Sequence, residues 1–144
     1  MASIKLEIVS PDRVVYSDDI AMLIVRSTGG ELGILPHHAP LVTGLLPHAM
    51  HVKFPDREEL IAVSGGFMEV QPEKITVLAS AAEEPIDIDI NRAQRAYQRA
   101  KERIDAFRKG TTTAEQKTID LERAEAALRR AIARLDATKT AYDK

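Results

Sequence analysis

Apolar and polar positions alternate along the first part of the chain and then change period. Ile4, Leu6 and Ile8 take turns with Ser3, Lys5 and Glu7, the two-residue repeat of a strand with one buried face. Val9 falls outside that repeat, and Ser10-Pro11-Asp12 ends the run. Further apolar, β-branched stretches follow at residues 14–16, 20–25, 32–35, 41–46, 50–54, 60–63, 67–70 and 75–78. Thr28-Gly29-Gly30, Pro36-His37-His38, Phe54-Pro55-Asp56, Gly65-Gly66 and Gln71-Pro72-Glu73 separate them as turn signals. Short strands with such tight punctuation predict an antiparallel sandwich or barrel rather than βαβ units.

From residue 90 the repeat lengthens. Ile90, Ala93, Tyr97, Ala100, Ile104 and Phe107 step by three and four, and Leu121, Ala124, Leu128, Ala131 and Leu135 do the same. Each set is the narrow seam of a helix packed on one neighbour. Asp89 is placed to cap the first helix and Gly110 to stop it. Thr113-Ala114-Glu115-Gln116 has the form of a capping box for the second. The fold class expected is therefore α+β: an antiparallel β-sandwich or barrel over 1–87, then an antiparallel two-helix hairpin over 88–144. Alanine fills much of the hairpin seam, and apolar burial contributes only about 25 cal/mol per Å². Such a unit is marginal unless docked, so little free energy should separate docked and extended forms.

Composition sharpens the division. All seven prolines and all glycines but Gly110 lie before residue 88. Residues 1–87 carry 6 basic and 13 acidic side chains, a net of −7, whereas residues 88–144 carry 14 and 9, a net of +5. The overall charge of −2 hides this contrast. Zero cysteine removes disulfides, thiolate metal sites and cysteine nucleophiles. No apolar run approaches the roughly 20 residues of a membrane-crossing helix. MASIKLEIVS lacks a charged-then-apolar leader, so secretion is not expected.

Candidate chemistry is sparse. His37 and His38 adjoin in a Pro-rich turn, and His48 and His51 have no helical spacing to fix them together, so all four read as turn or surface histidines. No HExxH, Walker-type, GxSxG or EF-hand pattern is present. Neither catalytic residues nor a metal site are expected. Gly65-Gly66 reads as a hairpin turn or bulge, because no helix follows it. The arginines say more. Arg92, Arg95, Arg99 and Arg103 form one stripe on the first helix, and Arg130 and Arg134 share a face of the second. Two such stripes repel when the hairpin closes unless an anion lies between them, and guanidinium forks suit phosphate oxygens. The other reading is solvated helix faces paired with Glu102, Asp105, Glu122 and Glu125. Nucleic-acid binding ranks below both, since nine acidic residues intersperse the arm and no DNA-binding motif appears.

Three blocks carry a family resemblance. Gly30-Glu31-Leu32-Gly33-Ile34-Leu35-Pro36-His37-His38-Ala39-Pro40-Leu41 is close to a GELGILPxHxPL stretch, and Ser64-Gly65-Gly66-Phe67-Met68-Glu69-Val70 to an SGGFxEV stretch. Ile88-Asp89-Ile90-Asn91-Arg92-Ala93 follows the pattern I/L-D-x-x-R-A. Through essentially its whole length the chain resembles the epsilon subunit of bacterial F-type ATP synthase, of the ATP-binding type.

The resemblance implies a non-catalytic subunit, peripheral on the cytoplasmic face of the bacterial membrane. Its β-domain would attach to the gamma subunit and the ring of c subunits, with no nucleic acid involved. The helical pair would be a regulatory arm. Extended, it would block ATP hydrolysis and meet the beta (and alpha) subunits; folded, it would be stabilised by ATP as a regulatory ligand. The matching positions for ATP are Glu83, Ile88, Asp89, Arg92, Ala93 and Arg99, with Arg130 and Arg134 on the second helix. A subunit that couples and inhibits without sensing nucleotide is the alternative. Two departures stand out: His37 occupies a position where many members have glycine, and the connection over residues 109–117 is longer than in compact ATP-binding members.

Overall fold

In the computed structural model, residues 2–109 and 114–142 are described, with side chains at 114–119 left out. The alternating first segment is strand β1 (Ile4–Val9), burying Ile4, Leu6 and Ile8, and its pairing shifts register between Ile8 and Val9, where the two-residue repeat fails. Then follow β2 (Val14–Ile20), β3 (Met22–Ser27), β4 (Gly30–Ile34), β5 (Leu41–Leu45) and β6 (His48–Lys53). β7 (Glu58–Val63), β8 (Gly66–Val70), β9 (Lys74–Ala79) and the two-residue β10 (Ala82–Glu83) complete the sheet. The apolar stretch over 20–25 is divided: Ile20 closes β2 and Met22 opens β3. The polar run Ser17-Asp18-Asp19 belongs to β2, which ends the sheet and is exposed on both faces there.

Strands run in the order β10-β7-β6-β3-β5-β8-β9-β1-β2, with β4 paired to β3 off that path. The expectation of a wholly antiparallel sheet needs one correction. β1 runs parallel to β9, with Leu6 opposite Ile75 and Ile8 opposite Val77, while the other pairs are antiparallel. Alternation shows which face a strand buries but carries nothing about its partner's direction. The sheet curls on itself, and the Tyr16 hydroxyl on end strand β2 donates to Glu59 Oε2 on β7 at 3.1 Å. That bridge draws the two ends of the sheet together into a nearly closed barrel. Partial burial, and then the Glu59 carboxylate, push the Tyr16 phenol well above its ordinary range. Inside lie Leu6, Ile8, Leu23, Ile34, Met50, Val52, Met68, Ile75 and Val77, each fully buried. Aliphatic side chains of this size interdigitate densely and hold a single arrangement.

Three turn positions depart from expectation. Gly65-Gly66 does not close a hairpin, since β7 pairs β6 and β10 while β8 pairs β5 and β9. It is the corner where the chain crosses between strand groups. Gly66 has φ +147, and a Cβ there would sit 2.1 Å from the Leu78 carbonyl oxygen, so only glycine fits. His37 takes the left-handed φ of +63 with its N–H donating to Pro72 O at 2.9 Å. The turn keeps its shape without glycine, at a cost of about 1 kcal/mol. His48 is no surface histidine. It is 9% exposed, its Nδ1–H donates to Leu46 O at 2.6 Å, and its Nε2 accepts from the Arg26 N–H at 2.9 Å. The ring thus supplies the acceptor that β3 needs where its β6 ladder gives way. Burial lowers its pKa, which keeps the imidazole neutral.

A single turn of 3-10 helix over Pro85–Asp87 leads from the sheet to α1 (Ile90–Lys109), and α2 (Ala114–Ala137) returns antiparallel to it. Asp89 caps α1 as expected, its Oδ1 accepting from the Arg92 N–H at 3.0 Å. Gly110 and the start of the Thr113-Ala114-Glu115-Gln116 box lie outside the described residues, as does part of the connection over 109–117. In α1 the buried seam is Ala93, Tyr97, Ala100 and Ile104; Ile90, expected in that seam, is 40% exposed. In α2, Ala124, Ala131 and Leu135 are buried toward α1. Ala133 and Ala137 are buried on the opposite side, against Ala49, Leu60, Ala62 and Ile88. The layers run sheet, α2, α1. After Ala137 the N–H of Lys139 bonds Asp136 O and that of Thr140 bonds Leu135 O, a Schellman cap with Lys139 at φ +54. The tail then lays Tyr142 against Tyr97, ring centroids 5.3 Å apart.

Candidate functional site: the arginine flank of the helical pair

Each informative arginine stands one position before a seam residue: Arg92 before Ala93, Arg99 before Ala100 and Arg103 before Ile104 on α1. Arg123 precedes Ala124, Arg130 precedes Ala131 and Arg134 precedes Leu135 on α2. One residue is a rotation of about 100° around a helix axis. On two helices that face each other and run in opposite directions, the same rotation points to the same side of the pair. All six arginines therefore line one flank, whereas Arg95 is turned further toward solvent. Reading each helix alone finds Arg103 in the first stripe but misses Arg123. The common offset from the seam is the signal that finds it.

Only one of the six is paired among the described residues. Arg134 Nε donates to Glu83 Oε1 at 2.7 Å, with both side chains about two-thirds buried, joining α2 to β10. Arg92, Arg99, Arg103, Arg123 and Arg130 are exposed and have no ion pair in that set. Of the carboxylates expected to neutralise the helix faces, Glu125 meets Arg129 at 4.0 Å, on a different face from Arg130. Glu102 accepts from Gln98. The flank thus carries several positive charges with one counter-charge, Glu83, at its end.

The remaining positions matched to ATP serve the fold. Asp89 holds the start of α1, Ile88 packs with Ala62, Ala133 and Ala137, and Ala93 lies in the helix seam at 1% exposure. These three set where the flank begins. The guanidiniums are what face outward. A row of fork-shaped donors can bind a multiply charged oxyanion. Among the described residues no group of three His, Asp or Glu is arranged to hold a metal ion.

A second surface lies on the outer face of β5, β8 and β9. Phe67 and Leu78 face each other across the β8–β9 ladder and are 63% and 56% exposed; Val42, opposite Glu69 on β5, is 72% exposed. These side chains leave apolar surface on the water-facing side of the sheet.

Comparison with known proteins finds two family models in succession along the chain. The family model for the ATP synthase delta/epsilon chain beta-sandwich domain matches residues 3–85, and that for the delta/epsilon long alpha-helix domain matches residues 87–139. The ATP synthase epsilon chains of Alkalihalophilus pseudofirmus and Bacillus subtilis are each 48% identical over 106 residues, 74% of this chain and 80% of theirs. Among solved structures, a chain of the Euglena gracilis mitochondrial ATP synthase OSCP/F1/c-ring assembly superposes with TM-score 0.75 at 21% identity. It covers 96% of this chain and 82% of its own. A chain of the Tetrahymena thermophila mitochondrial ATP synthase central stalk/c-ring gives 0.59 at 14% identity, covering 95% and 97%. Among the described residues no helix is long and apolar enough to cross a membrane.

Proposed function

The chain belongs to the ATP synthase delta/epsilon family, as an epsilon subunit of the F-type enzyme, and from that premise we propose how its two parts divide the work. The β-domain attaches to the gamma subunit and the c-ring through faces that include the Val42, Phe67 and Leu78 patch. The helical pair is an inhibitory arm. Folded on β6 and β7 it permits ATP hydrolysis; extended toward the beta and alpha subunits, its positive charge meets acidic surface and blocks rotation in the hydrolysis direction. The subunit is peripheral on the cytoplasmic face of the membrane. ATP is the regulatory ligand of the folded arm.

The observation that carries this reading is the six-arginine flank, built from both helices and therefore complete only while the pair is closed. A triphosphate bridging α1 and α2 would relieve their mutual repulsion in the closed form alone. A ligand with that differential affinity shifts the arm toward closure, and its withdrawal frees the arm. Arg92, Arg99, Arg130 and Arg134 supply the donors; Asp89 and Ile88 fix the end of α1 against which the base would lie. Isothermal titration of the isolated subunit with ATP tests this. Binding heat is expected, weakened roughly tenfold or more by Arg130→Ala or Arg92→Ala; no heat would overturn nucleotide sensing and leave the arm a nucleotide-blind inhibitor. Truncation after Asp87 should raise ATP hydrolysis by the reassembled enzyme, and unchanged hydrolysis would count against an inhibitory arm.

A further inference from the structure

The face that docks α2 to the sheet is thin. Ala133 and Ala137 meet Ala49, Ala62, Leu60 and Ile88, so few apolar groups larger than a methyl are gained when the arm settles. Across that boundary, one ion pair joins the arm to the β-domain among the described residues: Arg134 Nε to Glu83 Oε1 at 2.7 Å, with 33% and 29% side-chain exposure. The pair stands at the end of the arginine flank, and its two members are both positions matched to the ATP site. Arg130, one turn earlier on α2, has no such partner.

We propose that Glu83 and Arg134 form a ligand-free latch that holds the arm on the β-domain, and that nucleotide binding exchanges this latch rather than adding to it. The second half rests on the nucleotide reading above; the first does not. Glu83 lies on a two-residue strand held to β7 through Ala82–Val63 and Glu83–Ala62 pairing, so its carboxylate belongs to the rigid body. Arg134 belongs to the movable one. Their separation on arm release breaks a charge-assisted hydrogen bond that extension along any other surface must replace. While the latch is closed, Glu83 neutralises the innermost guanidinium and leaves the outer ones open. A triphosphate entering from the open side meets uncompensated charge first and competes with Glu83 for Arg134 last. Once Arg134 turns to phosphate, the Glu83 carboxylate is left without its partner. Nucleotide and latch are then alternative ways of holding one closed state, and the latch sets how much of the arm is released when nucleotide is withdrawn.

The test uses the full-length subunit without nucleotide. Spin labels on cysteines introduced at Glu73, in the β8–β9 turn, and Gln94, on the exposed side of α1, report the arm's distance from the β-domain. The native chain has no cysteine to interfere. Wild type should give one short distance. Glu83→Gln and Arg134→Gln should each raise the released fraction about five- to tenfold, and the charge-reversed pair Glu83→Arg with Arg134→Glu should restore docking. Unchanged distances in both single variants would overturn the latch, and so would a released fraction that the reversal leaves as high as in the single variants. Saturating ATP should suppress release in Glu83→Gln more than in Arg134→Gln. Equal suppression would overturn the exchange while leaving the latch intact. Release that ATP suppresses in neither variant would instead refute the nucleotide reading.

Discussion

The β-domain and the helical pair are built to different scales. Leu6, Ile8, Leu23, Ile34, Met50, Ile75 and Val77 are all fully buried in the barrel, so each strand is fixed by several large side chains. The arm's buried set is Ala93, Ala100, Ala124, Ala131, Ala133 and Ala137, with Tyr97, Ile104 and Leu135 as its larger members. Alanine has the highest helix propensity and contributes little on burial, so α1 and α2 persist as helices with only modest attachment. Stability of an element and stability of its docking are thus separated in one chain. That separation is what a body that must stay rigid while carrying a part that must let go requires.

The widest test of this contrast sets Leu6→Ala against Leu135→Ala. Each removes a fully buried leucine, and each site should lose about 2–5 kcal/mol. In the barrel the loss should lower the whole unfolding transition. In the arm it should melt or release helix at a lower temperature while the sheet signal keeps its midpoint. A single shared transition in both variants, followed by circular dichroism and amide exchange, would break the comparison.

Tyr16→Phe addresses closure of the barrel. Losing the hydroxyl leaves Glu59 with Arg57 as its partner and should cost about 1.5–3 kcal/mol of β-domain stability, read by denaturant unfolding, without altering arm release.

His48 gives the β-domain a pH dependence of its own. Its folded pKa lies below the ordinary value near 6.5, so the unfolded chain binds a proton that the folded one refuses. Its stabilising contribution should be complete above about pH 6.5 and should fall as pH drops toward the folded value. His48→Gln, which keeps an acceptor for the Arg26 N–H and has no titrating group, should flatten that slope in urea midpoints measured between pH 7.5 and 5.

The smallest expected effect is a gain. Lys139→Gly relieves a left-handed backbone at the end of α2 and should stabilise the docked arm by about 0.5–1 kcal/mol, seen as slower exchange of the last turn's amides.

The local grammar of the chain carried much of this architecture. Alternation placed β1 and even its irregularity at Val9; Asp89 marked the start of α1; seam spacing identified most of the helix contacts. What escaped was non-local. Nothing in Ile4–Val9 specifies that β9 is its partner or that the two run parallel, and nothing in Gly65-Gly66 distinguishes a crossing corner from a hairpin. The second buried face of α2 escaped for another reason. Ala133 and Ala137 give too little hydrophobic contrast to register as a face, though together they seat the arm. His48 shows the same limit in reverse, since a polar residue at a strand start reads as exposed until its two backbone partners are found. The arginines were legible one helix at a time; their common side followed only from knowing that the helices run antiparallel.

The parallel pairing of β1 with β9 bears on how the chain comes to be folded at all. A growing polypeptide exposes Ile4–Val9 about seventy residues before that strand's inner partner, Lys74–Ala79, is synthesised. Until then only the β2 hairpin can cover it, and one side of β1 remains an open edge. Closure of the barrel is therefore a late, non-local event, slow by the rule that ties folding speed to sequence separation. By the time it occurs, β10 and the start of the arm are the next segments to emerge. The order of synthesis favours a finished platform before α2 arrives, and a nascent chain stalled before Lys74 should be the species most in need of a chaperone.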